Sequence, residues 1–552
     1  MKTPCVILNT AAGNTLGGDN ALYGREFRTL CLGSAVAFAL ITPGAAHAGE
    51  TEANSSELVL ATHSLGSQQE PDLHGQYFLA QNSAVATPQA TPQATPQPTL
   101  IAPDTDTRKP DRLAEAVAAK DYLLPAEEIV GFNLLLNRFN YYFIDKQVYG
   151  SNLNTIRTNV SNKWVVDTDP FAVNQFMHPY QGSMYFGMAR SAGLDYWESL
   201  GYSFGGSLLW EIAGETGAPS INDLVTTGFA GAFLGEPLFR MASLLLEGGG
   251  QTPGFWRELG AAAISPSLGF NRLAFGNRFR KVFDSHDPAT YAYVRIGLNA
   301  VDSVFDDVVS QKIKRNTATA DFHMSYGLPG KAGYSYTRPF DYFDFEFSAN
   351  TANAFENIMS RGLLVGKEYA VGDNYRGVWG LYGSYDYISP QIFRVSSTAV
   401  SLGTTAQWWI SKSVALQGTA LGGLGYGAAG TIHGSGERDY HYGATPQALL
   451  ALRLMFGETA ALELTARSYY VSNVASTENR GSERIFRGDS AFTVRVQDNH
   501  AITLRYNTSQ RNAHYPDIAD AQQRVQSVSL LYTYFFGDGK LGAVDWRAAD
   551  QR

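Results

Sequence analysis

The chain has 552 residues, a net charge of −9 and only 17% charged residues, while Gly (55), Tyr (30) and Phe (31) are abundant. This length is typical of more than one structural unit. The negative charge, without a basic stripe carrying interleaved aromatic residues, gives no reason to expect nucleic acid as a partner.

The N-terminus carries the pattern of an export signal. Arg25 and Arg28 precede an apolar run from Leu30 to Ile41, and the small-x-small sequence Ala46-His47-Ala48 follows. We predict a signal peptide over residues 1–48, cleaved after Ala48. Both cysteines, Cys5 and Cys31, lie in this leader. The mature chain then has no disulfide, no thiol catalysis and no thiolate metal site.

Two segments separate the leader from the C-terminal half. Residues 49–110 are rich in Pro, Gln and Thr, cannot bury a core and are predicted to form a disordered tether. Residues 111–286 are predicted to form a glycine-rich helical domain, with helices over 111–120, 127–143, 196–212 and 221–246. Charges interrupt its apolar runs, so transmembrane helices are not predicted there.

From residue 287 the hydrophobic period changes to two. Val528, Leu530, Tyr532, Tyr534 and Phe536 share one face of a segment, opposite smaller polar residues. Segments of about ten residues recur, joined alternately by short and long polar links, as in outer-membrane barrels. We predict an α+β chain whose residues 287–537 form a mostly antiparallel transmembrane β-barrel of about twelve strands, with a tail at 538–552. A soluble β-sandwich is the alternative.

Inward-facing charged residues of this barrel allow two interpretations. Glu463, Arg467, Arg495 and Arg505 either line a pore or pair with one another and close it. The expected partner of the outer face is the lipid bilayer of the outer membrane of a Gram-negative bacterium; a soluble partner is unknown.

The stretch from Phe171 to Glu236 is the densest in potential chemistry. Its motifs, with those that flank it, are Asp169-Pro170-Phe171, Asn174-Gln175, His178-Pro179-Tyr180-Gln181-Gly182, Arg190, Gly193, Trp197-Glu198, Trp210-Glu211, Glu215, Pro219-Ser220, Asn222-Asp223, Gly235-Glu236, Ile264-Ser265-Pro266 and Asn271-Arg272. In this order and spacing, residues 164–276 resemble a bacterial family known as domain of unknown function 3943. The resemblance implies an exported envelope protein and supplies no activity.

Four residues of this stretch are candidate catalytic groups: His178, Glu211, Glu215 and Asp223. A histidine with several carboxylates binds a divalent metal or forms an acid-base pair beside a hydroxyl, here Ser183 or Ser220. Glu211 and Glu215, four residues apart on a predicted helix, share a face and repel. No G-x-S-x-G or H-E-x-x-H signature is present. The metal question stays open, and no cofactor is expected.

The same residues also fit a structural role. Ser220 or Asn222 before Asp223 is typical of a helix N-cap, and Glu236 with Arg240 has the spacing of a helical ion pair. With Arg190 these residues are predicted to form a structural or binding set. The leading hypothesis is an envelope protein whose helical domain plugs or braces the barrel, passing small solutes or lipids. The alternative is an outer-membrane enzyme acting on lipid or lipopolysaccharide.

Overall fold

The computed structural model describes residues 120–250, 252–276, 282–306, 314–433, 436–474, 480–537 and 541–547. The predicted signal peptide, the predicted tether and nearly all of the predicted helix over 111–120 lie outside these residues. The described chain begins with helices and continues with strands, in the predicted order.

Side-chain caps fix the starts of three helices of the helical domain. Asn152 caps α2 and Asp195 caps α4, each in a reciprocal capping box, and Ser220 caps α5. Two wider π turns, Val173–Met177 and Thr226–Ala230, precede α3 and join α5 to α6. The helices are α1 (Leu123–Phe143), α2 (Leu153–Ser161), α3 (His178–Ser191), α4 (Tyr196–Ala213), α5 (Ile221–Val225), α6 (Gly231–Glu247), α7 (Phe255–Ile264) and α8 (Pro266–Phe275).

The strands that follow close into a twelve-stranded antiparallel barrel, because β12 pairs with β1. This confirms the predicted fold class. The strands are β1 (Thr290–Asp306), β2 (Asn316–Tyr326), β3 (Phe343–Asn350), β4 (Asn357–Val371), β5 (Tyr375–Ile388), β6 (Arg394–Trp409), β7 (Val414–Gly430), β8 (Tyr440–Phe456), β9 (Ala460–Val471), β10 (Ser482–Gln497), β11 (His500–His514) and β12 (Ala521–Phe536).

The connections distinguish the two ends of the barrel. The links 372–374, 410–413, 457–459 and 498–499 are short and lie at one end, here called the turn end. The links 389–393, 431–439, 472–481 and 515–520 are longer and lie at the other, the loop end. The long link 327–342 is an exception at the turn end. The predicted alternation of short and long links is otherwise as observed.

Ion pairs between strands that are not neighbours identify the inward face. Arg505 of β11 contacts Asp321 of β2 at 2.9 Å, and Arg467 of β9 contacts Glu346 of β3 at 3.0 Å. Such bonds cross the lumen, so these side chains point inward. Glu463 likewise contacts Arg295 of β1 at 2.5 Å. Arg467, Arg505 and Glu463 therefore pair across the barrel, as the second of the two interpretations holds. Arg495 differs, because its Nε and Nη2 are buried without a hydrogen-bond partner among the described residues and its guanidinium lies 6.0 Å from the centre of the Phe535 ring.

Residues that alternate with the inward set point outward. Leu298 on β1, Leu504 on β11 and Leu530 on β12 are exposed, and aromatic residues such as Tyr534 and Phe536 follow them at the turn end. An outward apolar band on a closed antiparallel barrel is the arrangement of outer-membrane barrels, in which lipid covers that band.

The helical domain packs against the outward face of β2 to β8. Phe345, between two inward carboxylates of β3, belongs to the same buried cluster as Phe233 of α6. Ser360 of β4 donates a hydrogen bond to the Phe233 carbonyl at 2.6 Å, and Tyr385 of β5 donates one to the Gln175 carbonyl at 2.5 Å. The prediction that this domain plugs the barrel is therefore wrong for the described residues; the bracing alternative is the one compatible with these contacts.

Part of the C-terminal tail enters the barrel instead. The Val544 carbonyl accepts hydrogen bonds from the inward side chains of Gln407 at 2.6 Å and Trp409 at 3.0 Å. Trp546 is 1% exposed and donates to the Asp373 carbonyl in a turn-end link at 2.7 Å. Residues 541–547 thus fill the turn end of the lumen. Their backbone accepts hydrogen bonds from inward side chains that would otherwise be bonded to water.

Candidate functional site

The predicted site residues fall into two groups, one at each end of α3 and of the continuous helical segment Ile221–Glu247, here called the α5–α6 run. His178 starts α3 and Arg190 lies in its last turn, while Asp223 is in α5 and Glu236 in α6. We call the first group the His178 cluster: His178, Glu211, Ser220, Asn222 and Asp223. We call the second the Arg240 cluster: Arg190, Glu236, Arg240 and Asp341.

His178 lies between Asp223 of α5 and Thr227, which belongs to the π turn that follows α5. Its Nε2 lies 3.9 Å from Asp223 Oδ2, and its Nδ1 lies 3.3 Å from Thr227 Oγ1. The first distance is beyond hydrogen-bond reach. His178 and Asp223 are therefore near neighbours without the direct bond that an acid-base pair uses.

Asn222 connects this cluster to the barrel. Its Nδ2 donates to Asp223 Oδ1 at 3.0 Å, Asp167 Oδ1 at 3.1 Å and the Tyr442 hydroxyl at 2.8 Å. Asn174 Nδ2 also contacts Asp167 and Tyr442, at 2.5 and 3.2 Å. Tyr442 is on the outward face of β8, so the network joins the helical domain to the barrel wall.

Sequence reasoning missed part of that network. Asp167 and Tyr442 were not predicted as site residues, and Asn174 appeared only as a motif of the family resemblance. The aromatic pair Tyr440 and Tyr442 has period-two spacing, which predicts a shared face of a strand but not its partner. The contact depends on barrel closure and docking, which local patterns do not encode.

The hydroxyl groups considered for a nucleophile already have partners. Ser220 Oγ accepts from the Asp223 backbone N–H at 3.2 Å and donates to Asn222 Oδ1 at 2.8 Å. Ser183 Oγ donates to the Tyr180 carbonyl at 2.6 Å. Ser220 therefore acts as the N-cap of α5, and neither serine is bonded to His178.

The two glutamates do not share a helix face. α4 ends at Ala213, so Glu215 lies beyond it, and the prediction that the two glutamates share one helix face is wrong. Glu211 accepts the Ser220 backbone N–H at 2.8 Å, while Glu215 accepts Trp210 Nε1 at 3.1 Å. The surrounding protein withdraws Glu215 from water, and this burial raises the pKa of its carboxyl to about 7, despite the opposing effect of His178.

The Arg240 cluster is a buried ion network. Glu236 is fully buried and contacts Arg190 Nε at 2.7 Å and Arg240 Nε at 2.7 Å. Arg240 Nη1 also contacts Asp341 Oδ1 at 3.0 Å, and its Nη2 donates to the Pro339 carbonyl at 2.7 Å. The predicted ion pair between Glu236 and Arg240 is thus present, and it extends to the link between β2 and β3.

Both clusters are closed to solvent. In the first, His178 is 6% exposed and Asp223 2%. Among the described residues, no group of three or more His, Cys, Asp or Glu side chains is placed to hold a metal ion. A cavity of about 110 Å³ lies in the barrel lumen, between inward residues such as Arg295 and Asp489. The contacts of the two clusters are therefore suited to holding the helices to one another and to the barrel.

The comparisons address this same part of the chain. Residues 163–267 match the family model described as Domain of unknown function (DUF3943). The resemblance inferred from the sequence is thereby confirmed. The match spans α3 to α7 and both clusters except Asp341, and it leaves α1, α2 and most of α8 outside. No curated protein matches the chain.

Solved outer-membrane proteins resemble the chain only distantly. The outer membrane channel DcaP of Acinetobacter baumannii has 8% identity and a TM-score of 0.22, covering 45% of this chain and 96% of that one. The anion-selective porin from Comamonas acidovorans has 8% identity and a TM-score of 0.19, covering 45% and 100%. OmpT of Vibrio cholerae, lacking loop L8, has 9% identity and a TM-score of 0.18, covering 46% and 100%.

Proposed function

We propose that the protein is a closed outer-membrane barrel that anchors and braces the helical domain at its outer face, and that it does not conduct solutes. The observation that carries this proposal is the set of ion pairs across the lumen. Arg505 with Asp321, Arg467 with Glu346, and Arg295 with Glu463 each cross it at 3.0 Å or less.

The energetics of these pairs support a closed lumen. Buried charges are stable only when they are paired and hydrogen-bonded, and removing one partner costs about 3–5 kcal/mol. A hydrated solute would have to displace several such pairs. The cavity of about 110 Å³ between the inward charges has room for several ordered water molecules, since a cavity needs about 10–15 Å³ to accommodate one. Residues 541–547 add a second obstruction at the turn end.

Planar-bilayer recording tests the proposal. The purified full chain is compared with a variant lacking residues 541–552 and with Arg505→Ala, which opens one crossing. We expect no steady conductance from the full chain and at most small steps from the variants. Stepwise conductance from the full chain, at a level typical of an open pore, would overturn the proposal.

The alternative function, an enzyme that acts on lipid or lipopolysaccharide, requires His178 and Asp223 to act together in an accessible pocket, whereas both are buried and share no direct hydrogen bond. His178 and Asp223 approach to 3.9 Å near the loop end of the barrel. Lipid extracts from cells that produce wild type or His178→Ala distinguish the two, with Lys120→Ala as a control at an exposed site. A lipid species that depends on His178 while the barrel stays folded supports the enzyme; identical profiles support the structural role.

A further inference from the structure

The helical domain extends along the barrel from the loop end to the turn end. At the loop end, the Phe171 N–H donates to the Glu437 carbonyl at 2.8 Å, and Arg438 contacts Asp169 at 3.1 Å. At the turn end, Arg240 contacts Asp341 at 3.0 Å. The lipid-covered band of the barrel lies between these two levels, so the helices that connect them occupy the depth of the bilayer.

The individual helices run between those levels. α3 begins with the His178 cluster near the loop end and reaches Arg190 of the Arg240 cluster at the turn end. The α5–α6 run lies beside it in the same direction, and the two backbones approach so closely that a Cβ on Gly182 would lie 1.9 Å from the Thr227 carbonyl oxygen. Close contact at glycine is a common way for helices to associate in membranes.

Helix α1 exposes mainly apolar side chains, with Glu127 and Arg138 as its exposed charges, and so has largely the reverse of a soluble amphipathic pattern. Leu134 and Leu135 are 62% and 73% exposed. Its buried side carries amides: Asn133 Nδ2 donates to the Gly206 carbonyl at 3.2 Å, and Asn137 Nδ2 to the Gly214 carbonyl at 2.7 Å. A soluble helix buries its apolar stripe and exposes polar groups, whereas a helix in lipid does the opposite because hydrocarbon offers polar groups no partner.

Other helices extend this apolar exterior. Trp197 and Leu208 of α4 are exposed, as is Phe229 in the π turn before α6. The charges of Glu236 and Arg240, which interrupt an apolar run in the sequence, are buried in their ion network within the helical domain. The sequence pattern therefore understated how apolar the outside of this domain is.

The lengths also fit a bilayer. α1 has 21 residues and is about 31 Å long at 1.5 Å per residue, close to the hydrocarbon thickness of about 30 Å. The run Ile221–Glu247 has 27 residues and is apolar enough to cross a membrane, although most of it is buried in the domain. It is then the central helix, with α1 and α4 outside it.

We propose that α1, α3, α4 and the α5–α6 run cross the outer membrane beside the barrel, and that the exposed face of α1 contacts lipid acyl chains. This surface continues the apolar band of the barrel, so one layer of lipid covers both. The inference depends on the outer-face docking of the helices and is independent of whether the lumen conducts.

The topology that follows places specific residues on each side. Short turns of such barrels face the periplasm and long loops the exterior. Gln147 and Gly217, whose segments are joined by a hydrogen bond from Thr216 to the Gln147 carbonyl at 2.9 Å, then face the exterior. Thr252, after α6, faces the periplasm, and Leu135 lies in the hydrocarbon.

Single-cysteine labelling tests this arrangement, because the wild type has cysteines only at positions 5 and 31 and serves as the background. A membrane-impermeant maleimide is added to intact cells producing Gln147→Cys, Gly217→Cys, Thr252→Cys or Leu135→Cys. We expect labelling of the first two, labelling of Thr252→Cys only after the outer membrane is permeabilised, and labelling of Leu135→Cys only in unfolded protein. Heat-dependent gel mobility verifies that each barrel is folded.

A second measurement reports contact with lipid directly. A fluorophore on Leu135→Cys is reconstituted in vesicles of phosphatidylcholine brominated on its acyl chains, and the same fluorophore on Gln147→Cys is the matched control. We expect at least several-fold stronger quenching at position 135. Equal quenching at both positions, rapid aqueous labelling of Leu135→Cys in folded protein, or labelling of Gln147→Cys only after permeabilisation would each overturn the proposal.

Discussion

Replacing Glu236 with alanine removes the acceptor that holds two buried arginines. Glu236 accepts from Arg190 at 2.7 and 3.1 Å and from Arg240 at 2.7 Å, and both guanidinium groups are almost fully buried. Removing one partner of a buried ion network typically costs about 3–5 kcal/mol, because the remaining charge stays buried without compensation. Asp341 and the Pro339 carbonyl still contact Arg240, so the uncompensated charge is mainly that of Arg190, and we expect about 3 kcal/mol.

The assay separates the helical domain from the barrel. Thermal unfolding in detergent is followed at 222 nm for the helices and by heat-dependent gel mobility for the barrel. For a domain of this size, 1 kcal/mol shifts Tm by about 2–4 °C, so Glu236→Ala should lower the helical Tm by roughly 6–12 °C and leave the barrel transition in place.

Two variants serve as comparisons. Lys120→Ala removes an exposed charge that contacts Asp195 at 3.2 Å and Glu198 at 2.7 Å; it should cost about 0–1 kcal/mol. Glu236→Gln keeps one acceptor oxygen and should fall between Glu236→Ala and wild type. If Glu236→Ala unfolds within 2 °C of the wild type, the network does not hold the helices and the reasoning is refuted.

Three further variants test other contacts. Gly182→Ala places a Cβ 1.9 Å from the Thr227 carbonyl oxygen and should prevent α3 from packing against the α5–α6 run. Limited proteolysis should then cleave the helices rapidly. Gly201→Ala is the control and should leave the cleavage rate unchanged, because no atom lies within 4 Å of the added Cβ. The pKa of Glu215 is raised to about 7 in the folded state, so its ionisation opposes folding as pH rises from about 4.5 to above 7; Glu215→Gln should therefore raise Tm at pH 8 and leave it unchanged at pH 4. Trp546→Ala empties a buried site and should cost about 3–5 kcal/mol of barrel stability by urea unfolding; a loss below 1 kcal/mol would mean that the tail is not packed in the lumen.

The barrel was largely predictable because its signal is local. Alternation over ten or more residues, as from Val528 to Phe536, is repeated in each strand, and the alternating lengths of the links define the two ends. Helix bounds were also close: the prediction over 196–212 became Tyr196–Ala213. These features depend on residues near one another in the chain, so a single sequence contains them.

The site was only partly predictable. The ion pair of Glu236 and Arg240 has helical spacing and was predicted, but Arg240 also contacts Asp341, about a hundred residues later. The prediction that Glu211 and Glu215 share a helix face was wrong, because α4 ends at Ala213. The last contact of the helix is the hydrogen bond from the backbone N–H of Gly214 to the Trp210 carbonyl. Helix ends depend on such single contacts and are therefore hard to predict from composition.

The sequence by itself determined the export signal as a prediction, the order of helices before strands, and the period-two pattern that makes a barrel. Only the tertiary structure decided that the helices dock on the outer wall, that the tail enters the lumen, and that Asn222 meets Tyr442. The physical reason is that the alternating pattern of a strand defines a polar and an apolar face, but does not define whether lipid, a helix or the lumen lies against each face. Closure of β12 on β1 directs the charged face inward, where Arg505 reaches Asp321, and leaves the apolar face to helices and lipid.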